Sequence, residues 1–111
     1  MSGNHNIVVT KGDTFNFNFR VDTDGVGWDL TSYTGCMQVR RSTLDTNKLL
    51  DTDVNGTVTL DALGNVSVSV PATFMSTVPT GRWLYDFQLT SGSEVTTILA
   101  GRFIVRAEVT S

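Results

Sequence analysis

Cysteine, proline and histidine are almost missing from this chain: its 111 residues hold one Cys, two Pro and one His. The lone Cys36 excludes an intramolecular disulfide framework and a cysteine-built zinc cluster. No apolar run exceeds three residues (Ile7–Val9 and Ile98–Ala100), too short to cross a membrane as a helix. The start, Met1–Asn6, has neither the basic cluster nor the apolar stretch of a signal peptide, and the initial Met reads as a cytosolic start. Eight cations against eleven acids give a net charge of −3, spread over both halves of the chain. No basic field exists to hold a phosphate backbone, so no nucleic-acid partner is expected. Helix formers are scarce too: Ala, Glu and Lys together number 8.

What is present points one way. Val, Ile and Thr make up 34 of the 111 residues, and their stiff β-branched side chains fit a pleated surface. Phe15, Phe17 and Phe19 alternate with Asn16, Asn18 and Arg20, the period of a strand with one buried face. Met37 and Val39 share a face opposite Cys36, Gln38 and Arg40. Val58 and Leu60 form the next inward set, then Val66, Val68 and Val70, with Ser67 and Ser69 outward. Trp83, Tyr85, Phe87 and Leu89 line one face of the strongest strand, whose polar face is interrupted by Leu84. Ser91-Gly92-Ser93 marks a hairpin into Glu94–Ala100. Phe103, Val105, Ala107 and Val109 close the chain. Arg41–Asn55 reads as a long loop or weak edge strand, and Ala72–Val78, after Pro71, as a single helical turn carrying Phe74 and Met75 inward. The pattern predicts an all-β, two-sheet antiparallel β-sandwich of eight or nine strands with one short helical turn, wired as a jelly roll or immunoglobulin-like. Residues 1–6 read as a polar arm and 7–111 as one domain.

Catalytic constellations lack partners. His5, the one histidine, lies in the polar arm, where a general base would be poorly fixed. Asp22 and Asp24 before Gly25 echo a calcium loop, but the Gly comes two positions early and the closing Glu is absent. Asp51 and Asp53 form a second spaced pair; turn chemistry accounts for both. Asp86 is expected in a structural ion pair with Arg82 or Arg102. Asn55-Gly56-Thr57 and Asn65-Val66-Ser67 match the glycosylation pattern but read as turns. No catalytic residue, cofactor or metal site is assigned. The contact candidates are His5 and Asn6 of the arm and the aromatics Trp28 and Tyr33. The aromatics keep a carbohydrate-binding module open as an alternative.

An ordered series of motifs adds to this reading: Gly12-Asp13-Thr14-Phe15, Trp28-Asp29-Leu30-Thr31-Ser32-Tyr33-Thr34, Met37-Gln38-Val39-Arg40, Pro79 through Leu89, Gly101-Arg102-Phe103-Ile104-Val105 and Val109-Thr110. The series resembles a β-sandwich module of tailed-phage virion proteins, found at the start of upper baseplate proteins and as small stand-alone virion proteins. The short form is most similar to the capsid decoration, or staple, proteins of epsilon-type short-tailed phages. That resemblance implies a homodimer on the outside of the head, made in the host cytoplasm, that clamps neighbouring major capsid subunits. A tail or baseplate adaptor is the alternative within the same family.

Overall fold

The computed structural model describes residues 3–42 and 48–107. Eight strands of four or more residues carry the fold: β2 (Ile7–Thr10), β3 (Phe15–Arg20), β6 (Thr34–Arg40), β7 (Lys48–Asp51), β8 (Thr57–Leu60), β9 (Asn65–Val70), β10 (Gly81–Ser91) and β11 (Glu94–Arg106). Three two-residue strands join them: β1 (Gly3–Asn4), β4 (Asp22–Thr23) and β5 (Val26–Gly27). The larger sheet runs β2-β11-β10-β6-β7, with β1 beside β11 in line with β2; the smaller runs β3-β9-β8. β4 and β5 form a separate hairpin, turned by Asp24 (φ 52°) and Gly25 (φ 83°). Positive φ at both central residues is what a tight turn between right-twisted strands requires.

Alternation places the core. Phe87, Leu89, Met37, Val39 and Phe103 from the larger sheet meet Phe15, Val66, Val68 and Val70 from the smaller. Each fully buried side chain of this size contributes about 1.5–3 kcal/mol. Two aromatic contacts tie the sheets edge to face: Phe19 on Phe87 (5.1 Å, 87°) and Phe15 on Phe103 (5.4 Å, 86°). Such contacts add about 0.5–1.5 kcal/mol to the area buried.

Three expectations are corrected. The sheets are not wholly antiparallel, because β1 and β2 run parallel to β11. There are two helical turns rather than one: α1 (Thr52–Asn55) and α2 (Ala72–Met75). α1 forms because the Asp51 carboxylate caps it, accepting from the Asp53 N–H at 3.0 Å, while Asn55 Oδ1 accepts from the Asp51 N–H at 3.1 Å. The last strand ends at Arg106 and leaves Ala107 exposed; Val109 lies outside the described residues. Arg41–Asn55 resolves, where described, into the edge strand β7 followed by α1.

The wiring settles between the two alternatives. A three-stranded sheet faces a sheet in which the first long strand crosses over to pair with the last, and the chain order within the sheets is that of an immunoglobulin-like sandwich.

Candidate interaction surface

The registers of β6, β7, β10 and β11 fix what stands on the outward face of the larger sheet. Leu84 lies opposite Arg102 on one side and Arg40 on the other, and Arg40 lies opposite Lys48. Strands are about 4.8 Å apart, so Arg102 and Arg40 flank Leu84 at backbone positions about 10 Å from each other. The next row along is Ala100, Asp86, Gln38 and Asp51. A groove of about 630 Å³ lies over these rows, lined by Asn6, Gln38, Arg40, Leu84, Asp86 and Arg102 among others. Arg40 Nη2 donates to Gln38 Oε1 at 2.8 Å, and Asn6 Oδ1 accepts from the Arg102 N–H at 3.1 Å.

Asp86 does not form the expected pair with Arg82 or Arg102. Register prevents it: its direct neighbours are Ala100 and Gln38, while Arg102 stands opposite Leu84 and Arg82 opposite Ile104. Partial burial therefore pushes the Asp86 carboxyl above the usual carboxylate range, with Arg40 pulling the other way. Among the described residues the ion pair is Lys48–Asp51, at 3.1 Å.

Cations gather on this face, beside the carboxylates of Asp86 and Asp51. Arg40, Lys48, Arg82, Arg102 and Arg106 project outward from the larger sheet, five of the chain's eight cations. Asp24, Asp29 and Asp61 lie in turns and loops between strands, and Asp22 opens the short strand β4. Asp29 is held below the usual range by the Thr31 hydroxyl and then the Thr31 N–H. Asp61 is held low by the Asn65 side-chain amide, then by the Asn65 and Leu63 N–H groups. These carboxylates do turn chemistry.

The four contact candidates fall into two pairs on different parts of the molecule. His5 and Asn6 occupy the two-residue break between β1 and β2, against Gly101 and Arg102. The His5 N–H donates to Ala100 O (3.1 Å), its carbonyl accepts from the Tyr85 hydroxyl (2.5 Å), and its ring stacks on Phe17 at 5.7 Å. His5 was expected to be poorly fixed; backbone pairing of the arm with β11 fixes it. A Cβ on Gly101 would overlap the His5 carbonyl, so that glycine makes the break possible. Desolvation around the Tyr85 phenol pushes its pKa up to about 12.

Trp28 and Tyr33 meet in the loop between β5 and β6, ring centroids 6.4 Å apart and tilted by 41°. Both pack against the core, and Trp28 Nε1 donates to Thr23 Oγ1 at 2.9 Å. Leu84, Arg40 and Arg102 were not among the candidates. The available signal was Leu84 itself, an apolar residue on the polar face of the best-patterned strand.

Cys36, Asp51 and Asp53 bring ligand atoms within 4.8 Å of one another beside β7. The cluster is a helix cap. The Cys36 thiol donates to Asp51 Oδ1 at 3.3 Å, and burial first, then the Asp51 carboxylate, pushes it up to about 11. Burial pushes Asp51 up, but the Asp53 N–H, the Lys48 ammonium and the Cys36 thiol outweigh it and hold the carboxyl low. The Asp51 carboxylate is thus engaged within the cap by the Asp53 N–H, the Lys48 ammonium and the Cys36 thiol.

An immunoglobulin-like sandwich with a mixed basic and apolar groove on its larger sheet is the class these features define. No family model matches the chain, and no curated protein matches it. Among solved structures, a marsupial T cell receptor is similar at a TM-score of 0.54 and 10% identity, over 96% of this chain and 51% of that one. The chain thus spans about half the length of that receptor chain, and the likeness shows the fold.

Proposed function

We propose that the protein is a structural component of a tailed-phage virion, a dimeric capsid decoration or staple protein that binds the head exterior and clamps neighbouring major capsid subunits. The observation that carries this reading is the ordered motif series. Its segments Met37–Arg40 and Gly101–Val105 fall on β6 and β11, and Pro79–Leu89 leads into and fills most of β10; these strands build the groove. In this reading the Leu84 row meets the capsid: an apolar centre excludes water, and flanking arginines pair with carboxylates on the subunit surface. Many weak contacts repeated over a shell hold by multivalency.

The test is binding of purified protein to heads stripped of their outer proteins, followed by cryo-microscopy of the reassembled particle. Density on the head exterior, lost with Arg40→Glu/Arg102→Glu, is the expected result. Density confined to the tail would replace the staple with a baseplate adaptor, and absence from the particle would overturn both. The carbohydrate alternative draws less support, because Trp28 and Tyr33 turn tilted, partly buried rings toward one another instead of presenting a coplanar platform.

A further inference from the structure

The four flanks of the two sheets are finished differently. β7 carries the Lys48–Asp51 ion pair and a bulge opposite Val39/Arg40, and beyond it the Thr52 hydroxyl accepts from the Met37 N–H at 2.9 Å. The flank of β1 and β2 is broken at His5–Asn6. β8 is four residues long, and at its end the Leu30 N–H is bound to Asp61 O. β3 differs from all three. It is six residues long, pairs with β9 without a register shift, and has no Pro or Lys. Among the described residues it pairs with β9 alone, so every second residue leaves its N–H and C=O facing outward. Edges of this length are ordinarily blunted by charge, proline or a bulge. In the four-stranded form of this sheet a further strand lies beside the equivalent of β3; here a groove of about 440 Å³, lined by His5–Thr10 and Asp13–Phe17, runs along that flank. Phe17 and Phe19 point to the core side yet are only partly buried, in a ladder with His5 and Phe15.

We propose that the free edge of β3 pairs antiparallel with β3 of a second copy of this chain, about a two-fold axis through Phe17. The sequence of the strand argues for a second copy over any other strand. Phe15-Asn16-Phe17-Asn18-Phe19 reads the same in both directions, and an isologous contact requires self-complementarity. Centred on Phe17, the pairing sets Phe15 opposite Phe19 and Asn16 opposite Asn18, so apolar meets apolar on the core side and amide meets amide outside. Two three-stranded sheets become one of six, and the half-covered rings gain neighbours. The five residues Phe15–Phe19 pair over about 17 Å, a contact smaller than the standard interface of about 800 Å² per partner. The dimer is therefore weak and concentration-dependent. The inference names the surface of the dimer in the proposed function and takes its biological sense from that reading.

Asn16 and Asn18 are exposed, so changing them leaves the fold intact. Sedimentation velocity over a concentration series is the readout. The wild type associates to a dimer. Asn16→Asp/Asn18→Asp sets like charges opposite each other at both pairs and raises the dissociation constant about tenfold or more. Asn16→Asp/Asn18→Lys sets Asp opposite Lys at both and restores dimerisation. A doubly acidic variant that still dimerises as the wild type does, an Asp/Lys variant no tighter than it, or a wild type that stays monomeric would each overturn the pairing. So would a monomeric wild type whose head binding the acidic pair abolishes, because that assigns the edge to a partner protein's strand. A monomer that binds heads leaves the staple reading standing; a dimer that binds no part of the particle removes that reading and keeps the pairing.

Discussion

The two strands that flank the amino-terminal side of the sandwich, β2 and β3, follow one another in the chain and are treated in opposite ways. The β1–β2 flank is interrupted, and three side-chain devices secure the interruption: the Tyr85 hydroxyl, the Asn6 amide oxygen and the bare Cα of Gly101. β3 has no such attention; it is regular, uncharged through Phe19, and open. The difference teaches that edge protection is local and selective. Where the backbone is interrupted, specific hydrogen bonds close it. Where it is left regular, its unpaired groups remain available to another strand.

The strongest way to break this contrast is Gly101→Val. Its side chain collides with the His5 carbonyl and must expel the amino-terminal strand, at a cost of about 3 kcal/mol or more, read from chemical denaturation. A variant as stable as the wild type would show that the break does not depend on that glycine. Next in size is the reactivity of Cys36 under the β7 flank. With its pKa pushed up to about 11 from 9.0, iodoacetamide should label it about a hundredfold more slowly near neutral pH than the unfolded chain, since thiolate is the reactive form. The folded state holds the thiol proton more tightly, so the stability this contributes is complete below pH 9.0 and is lost as pH rises through about 11. Labelling at the unfolded rate would mean that the β7 flank opens freely.

Tyr85→Phe removes the hydroxyl from His5 and keeps the ring in the core, which should cost about 1 kcal/mol. Hydrogen exchange at the His5 amide should rise with it, while the amides of β9 stay as they are. Equal acceleration in both would make Tyr85 a general core residue instead of a clasp for one flank. Smallest is Lys48→Ala: an exposed pair of this kind contributes about 0–0.5 kcal/mol, so thermal stability should barely move. A larger loss would show that the ion pair holds β7 in place.

The strands were legible wherever local alternation decides them. Phe15–Phe19, Val66–Val70 and Trp83–Leu89 each carry their own inside and outside, and the Ser91–Ser93 turn announces its hairpin. The parallel pairing of the amino terminus was not legible. Nothing near Ile7 reports that it will lie beside Phe103, because that register is set by two strands at opposite ends of the chain. Helix α1 was hidden for a related reason: the Asp51/Asp53 spacing was read correctly as turn chemistry, but the cap takes effect only once Thr52 docks on Met37. Of the contact candidates, Trp28 and Tyr33 were brought together and His5 and Asn6 were secured to the sheet. The Arg40–Leu84–Arg102 row appears only when three strands are set in register, which no single stretch of sequence encodes.

The parallel clasp between β2 and β11 joins residues as far apart as Asn6 and Arg102, 96 positions along the chain. A ribosome adds about 5–20 residues per second, so the first strand emerges seconds before its partner exists. It waits unpaired through the synthesis of everything between. A chain cut short before Gly101 cannot house Ile7–Thr10, exposes the flank of β10, and offers proteases an unfinished molecule. The clasp can thus close only after translation has run through Arg106.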